Sequence, residues 1–141
     1  MSGAVIDAAR ANDLAQRWIA AWNTHDLDLI LALYRDDFTM ASPYIVAVFN
    51  EASGKLQGKA AVGAYWRQAL DRFPELRFEL LHVLAGVDSL TLVYRSNRSG
   101  LAAEVFTLDE SGLIGAAAAH YEPSRKEFQS TSYKNRDLLT V

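Results

Sequence analysis

The sequence predicts an α+β domain in which three helices precede a meander of antiparallel strands. Two observations define the elements: apolar residues recur at helical spacing over residues 14–34 and 62–73, then at a two-residue period from Arg77 onward. A third fixes their arrangement. The turn residues of the second half lie so close together that successive strands must form hairpins, not βαβ crossovers.

Residues 1–11 are small and weakly patterned, and read as a frayed lead into the first helix. Leu14, Trp18, Ala21 and Trp22 then give that helix one apolar face. The break Asn23-Thr24-His25-Asp26 stops it and starts another. Asp26 is suited to accept a backbone N–H as N-cap, and His25 occupies the left-handed corner. Leu27, Ile30, Leu31 and Tyr34 carry the second helix to the pair Asp36-Asp37, which reads as a solvated corner. Phe38, Met40, Ser42 and Tyr44 alternate as in a strand. The segment 45–57 mixes apolar and turn-forming residues, and reads as a strand extension or a hairpin tip that could serve as a lid. Gly58-Lys59-Ala60-Ala61 opens the third helix; Val62, Tyr65, Trp66, Ala69, Leu70 and Phe73 keep its spacing, and Pro74 stops it. Strands follow over 77–85, 90–97, 101–108 and 113–121, separated by the corners 86–89, 98–100 and 109–112. Four alanines and a glycine over 115–119 leave the last strand nearly bare, inviting close packing by something bulky.

At 141 residues the chain is long enough to bury a core of its own. It reads as one domain over 1–121 with a polar, aperiodic tail over 122–141. The absence of cysteine excludes disulfides, thiolate metal sites and cysteine nucleophiles. Fourteen Lys and Arg against 17 Asp and Glu, scattered along the chain, exclude a basic nucleic-acid face. No apolar run is long enough for a membrane span, and the first residues lack the pattern of a signal peptide, so a soluble, cytoplasmic protein is expected. Three Trp, six Tyr and six Phe supply more flat apolar surface than a minimal core requires, and that excess invites a ligand.

Common catalytic signatures are missing: there is no G-x-S-x-G, P-loop, G-x-G-x-x-G or H-E-x-x-H. His25, His82 and His120 fall in separate elements without metal-ligand spacing, so neither metal nor cofactor is expected.

The motif Asn23, Asp26-Leu27-Asp28 and Asp36-Asp37 resembles the SnoaL-like branch of the nuclear transport factor 2-like superfamily, relatives of which include ketosteroid isomerase and polyketide cyclases. The resemblance covers about residues 10–121. It implies a cone: a strongly curved antiparallel sheet wrapped round three helices, with an internal pocket, associating as a homodimer through the outer sheet face. Overlaid on ketosteroid isomerase through this motif, Trp18 falls where that enzyme has its oxyanion-hole tyrosine and Ser42 where it has its aspartate base. Trp66 falls at a supporting tyrosine, and Glu104 at the protonated aspartate. The usual proton-handling pair is therefore replaced, because an indole N–H donates but does not exchange a proton at neutral pH, and serine without a base accepts one poorly. The Asp-Arg-Asp set of limonene epoxide hydrolases has no counterpart either.

Glu104 remains as the candidate acid/base. It shares a strand face with Ala102, Phe106 and Leu108, and burial there would raise its pKa. The competing reading pairs it with Arg95 or Arg98 across the hairpin. The resemblance implies that Trp18, Tyr34, Met40, Ser42, Trp66 and Phe106 surround a ligand that is small and largely apolar with one polar handle. It also turns Tyr121 inward and His120 outward. Two functions stay open: acid/base isomerisation, cyclisation or hydrolysis, and a non-catalytic ligand carrier or protein-interaction dimer.

Overall fold

The computed structural model describes residues 6–123. Helix α1 (Ala8–Thr24) starts where the Asp7 carboxylate accepts the Arg10 N–H at 2.8 Å. It ends at His25, whose φ of 63° turns the chain and lets its N–H reach the Trp22 carbonyl. Asp26 then caps α2 (Leu27–Leu31), accepting from the N–H groups of Asp28 and Leu29. The corner is as its sequence predicts. The lead into α1 is shorter than expected: the helix already begins at Ala8, and Ile6 before it is buried.

Strand β1 (Tyr34–Ala41) begins directly after α2. Tyr34 therefore opens a strand instead of closing a helix, and Asp36 and Asp37 lie within β1, not at a helix end. Their solvated character holds, since both are exposed and meet Lys59 and Arg35 in surface ion pairs. A second correction follows. The strand does not run on to Tyr44, because Ser42 caps a short helix α3 (Pro43–Phe49), with Pro43 in the first helical position where its missing N–H costs nothing. The alternation of Ser42 and Tyr44 with their neighbours imitates a strand, but the Ser-Pro pair is a helix start. Asn50 at φ 56° ends α3, and the short β2 (Lys55–Gln57) returns along β1.

Helix α4 (Lys59–Arg72), then β3 (Phe78–Ala85), β4 (Ser89–Ser96), β5 (Gly100–Leu108) and β6 (Ile114–Tyr121) fall within a residue or two of their expected bounds. The six strands form one curved sheet in the order β2-β1-β6-β5-β4-β3. Strands β3 to β6 are the antiparallel meander, whereas β1 joins β6 in parallel, so the sheet is antiparallel at every pair but one. The helices lie against its concave side, α1 against β3 and α4 against β1. Asn23 ties the end of α1 to the start of β3, donating to the Phe78 carbonyl at 3.0 Å and accepting its N–H at 2.8 Å.

The core is aromatic. Trp18 stacks on Phe78 at 5.5 Å between ring centroids and meets Trp22, Tyr94 and Phe106; Trp66 meets Trp22, Tyr34 and Phe38.

Candidate active site

The strand register sets the inner face of the sheet in three rows. Tyr94, Ala102 and Tyr121 stand side by side, then Leu92, Glu104 and Ala119, then Leu90, Phe106 and Ala117. Each row holds one alanine, and Ala102 and Ala119 leave the sheet surface low beside Glu104. Over this low region lies a cavity of about 130 Å³, covered by Trp18 and Trp22 from α1 and by Tyr65 and Trp66 from α4. Tyr44 and Val48 of α3 border it, so the segment read as a lid does reach the cavity, as a capped helix.

Glu104 lines this cavity and is 3% exposed. Its Oε2 accepts from the Tyr94 hydroxyl at 3.3 Å, and its Oε1 is buried with no hydrogen-bond partner among the described residues. Burial drives its pKa up to about 8, against a partial lowering by the Tyr94 hydrogen bond. At neutral pH the side chain is mostly a carboxylic acid. The competing ion pair with Arg95 is not formed: Arg95 is exposed and in register with Leu101, one face away. Arg98 lines the same cavity as Glu104, with its guanidinium 4.2 Å above the Phe73 ring.

Around the acid stand phenols. Burial, and after it the charge of Glu104, holds the hydroxyls of Tyr34 and Tyr94 well above the ordinary tyrosine range, and burial does the same for Tyr121. None of them ionises near neutrality, so they act as hydrogen-bond donors and acceptors and not as bases.

Of the residues expected at the site, Trp18, Met40, Trp66 and Glu104 border the cavity together. Tyr34, Ser42 and Phe106 stand behind its wall. The Tyr34 hydroxyl accepts the Trp18 indole N–H at 2.8 Å, so the donor placed where the isomerase has its oxyanion tyrosine is already engaged. Ser42 accepts the Tyr44 N–H as cap of α3 and hydrogen-bonds the phenols of Tyr65 and Tyr121, which gives it a structural task. Phe106 is fully buried beneath the row of Glu104. Tyr121 faces the cavity and His120 is exposed; His82 is exposed too, and His25 hydrogen-bonds the Leu76 carbonyl at 2.7 Å. No group of three or more His, Asp or Glu among the described residues could hold a metal ion.

Sequence reasoning missed Trp22 and Tyr94. Trp22 follows helical spacing like any core residue, and nothing local separates a packed indole from one beside a cavity. Tyr94 gains its role from sitting across from Ala102 and one row from Glu104, a matter of register that a single strand does not reveal.

No curated protein matches the chain significantly. The family model of the SnoaL-like domain matches residues 15–121. A SnoaL-like protein of unknown function from Burkholderia thailandensis E264 is 48% identical, with a TM-score of 0.82 over 84% of this chain and 98% of its own. At the level of fold alone, the chain is similar to SalBIII, an epoxide hydrolase/cyclase-like enzyme in pyran ring formation in the polyether salinomycin (21% identity, TM-score 0.65, 82% and 93% covered). It is likewise similar to an isomerase candidate of the SnoaL-like family from Agrobacterium tumefaciens C58 (18%, 0.64, 81% and 98%). A domain match over most of the chain, joined to a close relative aligned over nearly its whole length, makes this protein a member of the SnoaL-like family, with the cone fold of the nuclear transport factor 2-like superfamily.

Proposed function

We propose that the protein binds a small, largely apolar molecule in the cone and performs acid/base chemistry on it, an isomerisation, cyclisation or hydrolysis, through Glu104. One observation carries this reading: a carboxyl group buried among aromatic rings, its pKa pushed up by that burial, with one oxygen left without a partner among the described residues. Such an acid donates to a carbonyl or ether oxygen of a bound molecule, and the burial that disfavours the resulting carboxylate favours return of the proton. Trp18, Met40 and Trp66 serve as ligand-contacting walls. Tyr34, Ser42 and Phe106 act behind them, Tyr34 by fixing the indole of Trp18 and Ser42 by holding Tyr65 and Tyr121. The cyclase-like activity of SalBIII, on the same fold, agrees with this choice of reactions but does not select among them.

A second reading, a ligand carrier without turnover, is favoured by the engagement of Trp18 and Ser42, which leaves Glu104 without a second proton-handling group beside it. Glu104→Gln separates the two. Under the enzymatic reading it abolishes turnover while ligand still binds; unchanged turnover and binding would leave only the carrier. In either case we propose a homodimer joined through the outer sheet face.

A further inference from the structure

Glu104 Oε1 and Trp22 Nε1 are buried atoms of cavity-lining residues with no hydrogen-bond partner among the described residues. Buried donors and acceptors in folded proteins are nearly always satisfied, and leaving one unpaired costs about 1–3 kcal/mol. Trp22 is 6% exposed, and its ring contacts are to Trp18, Trp66 and Phe78, none of which offers an acceptor atom. The contrast with Trp18 is direct, because that indole N–H is matched to the Tyr34 hydroxyl.

The hydrogen bonding around Glu104 fixes the kind of group it presents. With Tyr94 as the donor to Oε2, Oε2 is the carbonyl oxygen of the neutral acid and Oε1 carries the proton. Glu104 and Trp22 then present two donors, an O–H and an N–H, on different elements. An apolar molecule with a single polar handle would satisfy one and leave the other.

We propose that the cavity selects a ligand about the size of one aromatic ring carrying two separate hydrogen-bond acceptor oxygens, one received by Glu104 and the other by the indole N–H of Trp22. Trp22 is then the residue that sets which way round the ligand lies. The size follows from the volume, about 130 Å³, close to that of an engineered cavity of 150 Å³ that takes benzene. Both atoms have almost no accessible surface as they stand, so binding requires the indole and the carboxyl to turn towards the cavity. This inference rests on the reading of the cavity as a ligand site.

The test uses three probes of eight heavy atoms and nearly equal shape: 1,4-cyclohexanedione with two acceptors, 4-methylcyclohexanone with one and 1,4-dimethylcyclohexane with none. Their affinities are measured by calorimetry for the full chain and for Trp22→Phe, which keeps an aromatic ring and removes the N–H. The diketone is expected to bind the unmodified chain tightest, and Trp22→Phe to weaken it about fivefold, the loss of one neutral hydrogen bond, with the hydrocarbon unchanged. Indole N–H resonances of the unmodified chain give a readout that does not depend on the variant folding. The Trp22 signal moves downfield with the diketone more than with the hydrocarbon, while that of Trp18 stays. Equal weakening of all three probes, or equal shifts, would make Trp22 a packing residue and overturn the inference while the cavity remains a ligand site. Failure of every probe to bind would overturn both.

Discussion

At Glu104 the desolvation that suits the side chain to proton transfer also makes folding sensitive to pH. Its folded pKa of about 8 lies above the ordinary glutamate value of 4.5, so between these values the folded state holds a proton that the unfolded state has released. Stability from this group is therefore fully present below about pH 4.5 and is lost as pH rises towards 8. At 1.36 kcal/mol per unit the loss is on the order of 4 kcal/mol. Urea unfolding at pH 5, 6, 7 and 8 is expected to show a falling free energy for the unmodified chain and a flatter one for Glu104→Gln, so that the variant gains relative stability with pH. Parallel curves would mean that Glu104 does not titrate differently in the two states. Tyr34 gives a second residue-scale prediction. Tyr34→Phe keeps the ring but strands the buried Trp18 N–H, and should cost about 1–3 kcal/mol in urea unfolding.

Among the elements, the joint between α1 and β3 depends on one side chain. Asn23 closes two hydrogen bonds with the backbone of Phe78, replacing ladder bonds that an edge strand lacks at its first residue. Asn23→Ala is expected to lower stability by about 1–3 kcal/mol, well beyond Asn12→Ala, whose amide makes one exposed bond to the carbonyl of Ala8. Urea midpoints of the two variants check the order. The same residues show what was legible in advance. The Asn23–Asp28 corner could be read because caps act locally: a carboxylate at Asp26 and a left-handed His25 need only their neighbours. The hairpin strands could be read for the same reason. The start of β1 at Tyr34 could not, since the helical spacing of Leu27, Ile30 and Leu31 runs into it without a break, and only pairing with β6 makes Tyr34 a strand residue. Nor could α3, where the two-residue alternation through Ser42 and Tyr44 outweighed the Ser-Pro signal. At the site, the inward direction of Glu104 was legible from its strand face and the family resemblance, but the engagement of Trp18 and Ser42 was not, because both bonds span distant parts of the chain.

On the scale of the whole molecule, the sheet has two unlike faces. Its concave face carries the aromatic core, while the middle of the convex face of β4, β5 and β6 presents short, half-buried side chains, with Val93 beside Ala103 and Thr91 beside Val105 and Ala118, bordered by the exposed Arg95 and His120. Short side chains make this surface flat, and a second copy related by a two-fold axis could lie on it with its own Val105 row opposed to this one. A stable pairing of this kind removes roughly 1,200–2,000 Å² from water. Val105→Lys would place a charge at the middle of that contact, and a desolvated ammonium without a partner is strongly unfavourable. The variant should sediment as a monomer at concentrations where the unmodified chain is a dimer, with its far-ultraviolet dichroism unchanged, because Val105 points away from the core. Probe binding in the cavity should also persist, since Val105 and Glu104 project from opposite faces of β5. An unmodified chain that sediments as a monomer, or a variant that remains a dimer, would exclude this face as the interface.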